Sequence, residues 1–265
     1  MTDWDFAALV AIFLFGVPHG GFDAAIARRS GWAMNSRLSW VIFHLSYVAL
    51  ATVVAILWWW FPVTSLCLFL LISGYHFGAS DIANIGSDWL PWIAHGGLVP
   101  IAIPSLSPDA VRPIFSILIG TDKAEIVLTV IQIIFILWLL ALLGYCFYAF
   151  YKKHYTRPLL GLVAMTALAI LLPPLMSFAV YFCLLHSRGH IVRLWHSLDK
   201  NNRLAVVQEA GVYTLMAWIF AVVCFFYLNG SMSDSILQIT FIGLAALTWP
   251  HMILVDYMDK RRALL

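Results

Sequence analysis

Charge is what this sequence has least of. Of its 265 residues only 11% are Asp, Glu, Lys or Arg, and the net charge is +2. So small a net charge gives no sign of nucleic-acid binding, and no nucleic-acid partner is expected. No hydrophilic stretch is long enough for a separate soluble domain. Cysteine is scarce too. Cys67, Cys146, Cys183 and Cys224 lie far apart inside apolar segments, without a C-x-x-C pair. That excludes the sequence signature of a thiolate zinc site or a disulfide framework, and the four read as small buried hydrophobes. No Glu-x-x-His occurs, which argues against a carboxylate di-iron bundle. The first apolar segment follows Asp3 and Asp5 rather than a basic region and is long enough to span, so it does not read as a signal peptide.

What is present is apolar. Hydrophobic residues make up 63% of the chain and its mean hydropathy is +0.91. Segments long enough to cross a hydrocarbon core of roughly 30 Å recur throughout. The expectation is an all-α fold: one integral membrane helical domain over 1–265, a polytopic transmembrane bundle of about seven to nine spans. Hydropathy places nine, near 4–27, 38–60, 62–80, 89–106, 124–151, 158–173, 174–194, 205–228 and 235–257. Neighbours meeting at Pro62 and at Pro173-Pro174 are the ones able to merge. Short cytoplasmic loops collect Lys and Arg. With nine spans and the N-terminus outside, thirteen of the fifteen basic residues fall on the cytoplasmic side, and only Arg112 and Lys123 do not. This orientation puts the C-terminus in the cytoplasm.

Against that background four histidines stand out: His19, His76, His186 and His190, in or at the ends of strongly apolar segments. Ionisable residues at membrane depth are costly and read as functional by default. Four neutral imidazoles supply enough nitrogen to hold a metal ion. On the span assignment all four fall near the cytoplasmic ends of their spans, with His44, His95 and His251 in the same half. Helix bundles bring such residues together in their cores. The residues by themselves point to a membrane metalloenzyme with a lipid-soluble substrate.

Each local motif has a functional and a plainer reading. In His186-Ser-Arg-Gly-His190 the i, i+4 spacing places both imidazoles on one helix face, and Gly189 leaves room for a close neighbour. The same pattern also fits two histidines bonded to backbone carbonyls at a membrane surface. In Pro18-His19-Gly20-Gly21-Phe22-Asp23 the proline frees a carbonyl and the glycines admit a close approach. Asp23, four residues after His19, is placed to accept its second N–H and orient it. Otherwise the segment is a kink with a polar pair at the membrane boundary. Tyr75-His76-Phe77-Gly78 is followed by Asp81, which either approaches the metal region or caps the next segment. Trp249-Pro250-His251, followed by Asp256, echoes the first motif. His95 lies in Ala94-His95-Gly96-Gly97. Asp81, His95, His251 and Asp256 thus join Asp23 as candidates to support the ligands. His44, alone in an apolar helix, reads as a satisfied core histidine, and His154 and His196 as solvated. Most aromatics serve packing or the membrane interface; Phe22, Tyr75, Phe77, Phe178 and Tyr181, near the histidines, are candidates to line a tunnel for a flat polyene.

Taken together, these ordered motifs resemble the Brp/Blh family of membrane β-carotene 15,15′-dioxygenases, and within it the marine bacterial members associated with proteorhodopsin. The resemblance runs from Gly16-Val-Pro-His19-Gly with Asp23, through His76-Phe-Gly with Asp81 and His95-Gly-Gly, to Tyr181-Phe-Cys-Leu-Leu-His186-Ser-Arg-Gly-His190 and Phe241-Ile-Gly-Leu-Ala-Ala-Leu-Thr-Trp-Pro-His251-Met-Ile-Leu-Val-Asp256. Ala24 stands where some members carry a further histidine, and Gly21-Phe22 replaces a more usual Ala-Leu. The resemblance implies an Fe(2+) enzyme of the bacterial inner membrane. It would cleave β-carotene at its central double bond with O2 as co-substrate, giving two molecules of all-trans-retinal. It also implies iron ligands at His19, His76, His186 and His190, and a functional link to a retinal-binding rhodopsin. Four imidazoles suit Fe(II) while leaving up to two octahedral positions open. Two other classes remain at this point. A histidine-box desaturase or hydroxylase would use His186-x3-His190, although its H-x-x-H-H pattern is absent. A non-enzymatic haem or proton-carrying membrane protein would use opposed histidines or His/Asp pairs.

Overall fold

A segment that is apolar on every side and surrounded by lipid must satisfy its backbone internally, which a single chain segment does only as a helix. The computed structural model follows that rule. It describes residues 2–262 apart from 33–35, 84 and 229, with side chains as far as residue 255. There is no strand among the described residues. Among the described residues, eight helices or continuous helical runs are long and apolar enough to cross a membrane: Asp3–Arg29, Arg37–Trp60, Pro62–Ile82, Thr121–Tyr151, Lys153–Leu171, Pro174–Ser197, Lys200–Tyr227 and Met232–Val255. Their number lies within the expected seven to nine. The expected span at 89–106 is not one helix. It is built of Trp89–Gly96, a wide π-type turn Leu98–Ala102 and the short Ile103–Leu106. Pro91, Gly96, Gly97, Pro100 and Pro104 crowd this stretch; glycine lowers helix propensity, and a proline inside a helix removes a backbone donor.

The outward faces are apolar. Leu38, Trp59, Trp60, Phe147, Phe150, Leu171, Phe226 and Tyr227 are all well exposed. Apolar surface on this scale belongs against lipid.

The chain divides into two compact units, Met1–Leu9 with Pro62–His186 and Val10–Phe61 with Ser187–Leu265. In the first, the Pro62–Ile82 helix packs on Trp89–Gly96, and Thr121–Tyr151 packs on Trp89–Gly96 and on Pro108–Ile119. Two glycines set the distance of the first pair. A Cβ on Gly78 would stand 2.5 Å from the Trp92 carbonyl oxygen, and one on Gly96 2.3 Å from that of Gly74. The buried Trp138 indole donates to the Ala94 carbonyl at 2.9 Å, tying the long helix to the same neighbour.

In the second unit, Arg37–Trp60 packs along Met232–Arg262, and Arg203–Tyr227 lies against the tight segment Val17–Phe22. Its apolar centre includes Ala24, Ile26, Ala27, Phe43, Leu194 and Leu254, with Phe22, Tyr47 and Tyr213 packed on it. The expected close approach at the first glycine pair falls on Gly21, where a Cβ would stand 2.5 Å from the Ala210 carbonyl oxygen; Gly20 faces open space. Gly189 meets no neighbouring backbone, only the Arg193 guanidinium at 3.4 Å. At the polar edge Arg28 pairs with Glu209, whose other neighbour Tyr213 lies 2.7 Å from His44 Nε2. His44 Nδ1 lies 2.8 Å from the Trp40 carbonyl, so His44 is satisfied as expected.

Candidate metal centre

In the first unit the pair is His76 and His186. His76 comes from the Pro62–Ile82 helix and is 3% exposed; His186, 2% exposed, comes from Tyr181–Ser187, a run of wide i→i+5 turns. Such turns inside helices are rare and concentrate at functional sites. The two Nε2 atoms lie 3.2 Å apart, with ring centroids at 4.9 Å and planes at 71°. Two nitrogens bound at ~2.1 Å to one octahedral or tetrahedral ion are ~3.0–3.4 Å apart. The pair therefore already has the spacing of two ligands of one ion. Without an ion, the same distance suits a hydrogen bond from a protonated to a bare nitrogen.

Aromatic rings wall this pair. Phe77 meets His186 edge-on with centroids 4.8 Å apart, and Phe182 lies nearly parallel to it at 5.8 Å. Phe178 stacks on Phe182 at 5.3 Å, and Tyr181 packs on Phe77 at 5.1 Å. The Tyr181 hydroxyl donates to Asp81 at 2.9 Å, and His95 Nδ1 lies 3.4 Å from the same carboxylate oxygen. Asp81 thus anchors Tyr181 and His95. Tyr75 points the other way: it is exposed and packs edge-on to Trp92.

In the second unit the structure gathers three histidines. His19, His190 and His251 are all buried, with centroid separations of 5.8 Å for His19–His190, 5.0 Å for His19–His251 and 5.2 Å for His190–His251. His19 Nδ1 lies 2.5 Å from the Gly16 carbonyl and 3.2 Å from the Ser187 hydroxyl. A donor bond to that carbonyl leaves Nε2 as the nitrogen with a lone pair. The carboxylate expected to orient His19 does something else. Asp23 accepts from His251 Nδ1 at 2.7 Å and from the Tyr47 hydroxyl at 2.7 Å. The physical reason is local. Val17–Phe22, started by Pro18, is a 3₁₀ segment with three residues per turn, so a residue four positions on no longer shares the face of His19. Phe22 packs on the apolar centre of the unit. The side chain of Asp256 lies outside the described residues.

Among the described residues, no three His, Cys, Asp or Glu side chains are arranged to hold a metal ion as they stand. The donor chemistry of the buried histidines nonetheless fits an imidazole-ligated metal, and the 3.2 Å His76–His186 pair fits it in distance as well. Sequence reasoning missed Tyr47, Phe182 and Ser187. Ser187 lies inside the His186–His190 motif and was legible there, whereas a tyrosine or phenylalanine in an apolar helix carries no signal of its own.

The chain was compared with known proteins. No solved structure matches it. A protein named Beta-carotene 15,15′-dioxygenase, from an uncultured marine bacterium designated 66A03, is 36% identical over 268 residues, covering 98% of this chain and 95% of that one. The family model described as Beta-carotene 15,15′-dioxygenase matches residues 10–259, so the chain belongs to that family.

Proposed function

We propose that this chain cleaves β-carotene at its central 15,15′ double bond with O2 and releases two molecules of all-trans-retinal. The observation that carries this reading is the likeness, over nearly the full length of both chains, to a protein named for that reaction. The central C=C and the O=O bond break, two C=O bonds form, and both oxygen atoms leave in the products. No outside reductant is needed.

The proposed metal is non-haem Fe(II), held by His19, His76, His186 and His190. When bound, it supplies the activation of O2 that a closed-shell hydrocarbon lacks. The protein's own contribution is position and dryness. The Gly16 carbonyl sets the His19 tautomer, and burial keeps His76 and His186 away from water. Phe77, Phe178, Phe182 and Tyr181 offer flat apolar faces beside His186. A polyene without polar groups is fixed there by shape and length, which brings one chosen double bond into register. Asp81 holds Tyr181 in that wall. The proposed setting is the bacterial inner membrane with a cytoplasmic C-terminus, and the proposed use of the product is supply of retinal to a rhodopsin.

The test is expression in cells that accumulate β-carotene, with retinal measured by chromatography and His186→Ala as the control. Retinal from the wild type alone is expected. Folded, iron-loaded protein that yields no retinal would reject β-carotene as the substrate.

A further inference from the structure

We infer that His251 is a further metal-facing histidine, presented by a clamp of Tyr47 and Asp23. The inference rests on the metal reading above and adds a residue to it, within the second unit alone.

Three observations meet. The first is the spacing. An imidazole bound through Nε2 at ~2.1 Å has its centroid ~3.2 Å from the ion, so two such rings on one ion are ~4.6 Å apart at a right angle and ~5.3 Å at a tetrahedral one. His251 stands at 5.0 Å from His19 and 5.2 Å from His190, inside that range, while His19–His190 at 5.8 Å lies slightly beyond it. The second is the tautomer. A metal-bound histidine donates its other N–H to a carboxylate or a backbone carbonyl, which fixes the ring and raises its basicity. His251 does this to Asp23 and His19 to the Gly16 carbonyl, so both carry their lone pair on Nε2. The third is the clamp. Asp23 is 3% exposed, and its second oxygen takes the Tyr47 hydroxyl, so the carboxylate cannot swing away from His251. His251 itself lies in an apolar helix, 4% exposed, directly after Pro250. Closing on an ion requires the donor atoms to turn to a common point. Rotation about the imidazole χ2 is soft enough to allow it.

The test uses purified full-length protein titrated anaerobically with Co(II), whose visible d–d bands report the number and kind of ligands. His251→Gln keeps an N–H for Asp23 and removes the imidazole. It is expected to bind Co(II) at least ~10-fold more weakly, with altered bands that millimolar imidazole partly restores in His251→Ala. Asp23→Asn is expected to weaken Co(II) binding about 10- to 100-fold, and Tyr47→Phe by less, with normal expression and His44→Ala as an unaffected control. Wild-type affinity and bands in His251→Gln would overturn the inference and leave the metal reading standing. If His251→Gln and His251→Ala fail to fold, unchanged Co(II) affinity in both Asp23→Asn and Tyr47→Phe overturns it instead. A wild-type protein that binds no Co(II) would overturn the metal reading, and this inference with it.

Discussion

A single methyl group distinguishes the roles of two glycines in the first unit. At Gly78 it would stand 2.5 Å from a backbone oxygen of Trp92, an atom that cannot move without moving its helix. Gly161 has nothing within 4 Å. Gly78→Ala is therefore expected to destabilise the protein by about 1–3 kcal/mol through overpacking. Gly161→Ala is expected to leave stability unchanged or raise it by up to about 1 kcal/mol through helix propensity. Thermal unfolding in detergent compares them, and equal midpoints would mean that the Gly78 contact is not tight. At this scale much of the candidate site was legible. The buried histidines announce themselves because an apolar segment has no other use for them, and Asp23 was picked out beside His19. Its partner was misread because i, i+4 spacing assumes an α-helix, while Pro18 starts a tighter turn there. Tyr47, which completes the Asp23 network, had no signature in the sequence.

The ends of helices carry the few charges, and one of these ends predicts a pH dependence. Asp88 precedes the Trp89–Gly96 helix and accepts from the Tyr148 hydroxyl at 2.6 Å and the Lys152 ammonium at 3.0 Å, both at the end of Thr121–Tyr151. Those hydrogen bonds, Tyr148 first, hold its carboxyl down at about 2. An unfolded aspartate titrates near about 3.9. The pinning is therefore fully present above pH ~4 and is lost as the pH falls from there towards about 2. Unfolding midpoints across that window should drop more for wild type than for Asp88→Asn; parallel curves would show that the contact adds nothing to stability. The long helix Thr121–Tyr151 on one side of this contact was legible from hydropathy, since a run of apolar residues bounded by polar ones leaves few choices. The broken stretch from Trp89 to Leu106 was not. Its hydropathy matches a span, and only its prolines and glycines tell that the helix is interrupted.

At the scale of the whole molecule, that broken stretch decides the orientation. If the chain crosses the membrane there, the basic clusters at Lys152, Lys153 and Arg157 and at Lys260, Arg261 and Arg262 share a side with Arg28 and Arg29. If it does not, both clusters fall on the side opposite Arg28 and Arg29, and the larger share drops from thirteen to ten of the fifteen basic residues. Reporter fusions after residue 30 and after residue 153, on either side of this stretch, are both expected to read cytoplasmic. Opposite signals at the two points would show that the stretch is re-entrant. The apolar exterior has another consequence. Trp59, Trp60, Phe147 and Phe226 turn outward into the same phase that dissolves carotene. Enzyme and hydrocarbon then meet by lateral diffusion within a thin film. What saturates such a protein is the mole fraction of carotene among the lipids, so adding empty lipid or detergent at fixed total carotene slows turnover by surface dilution.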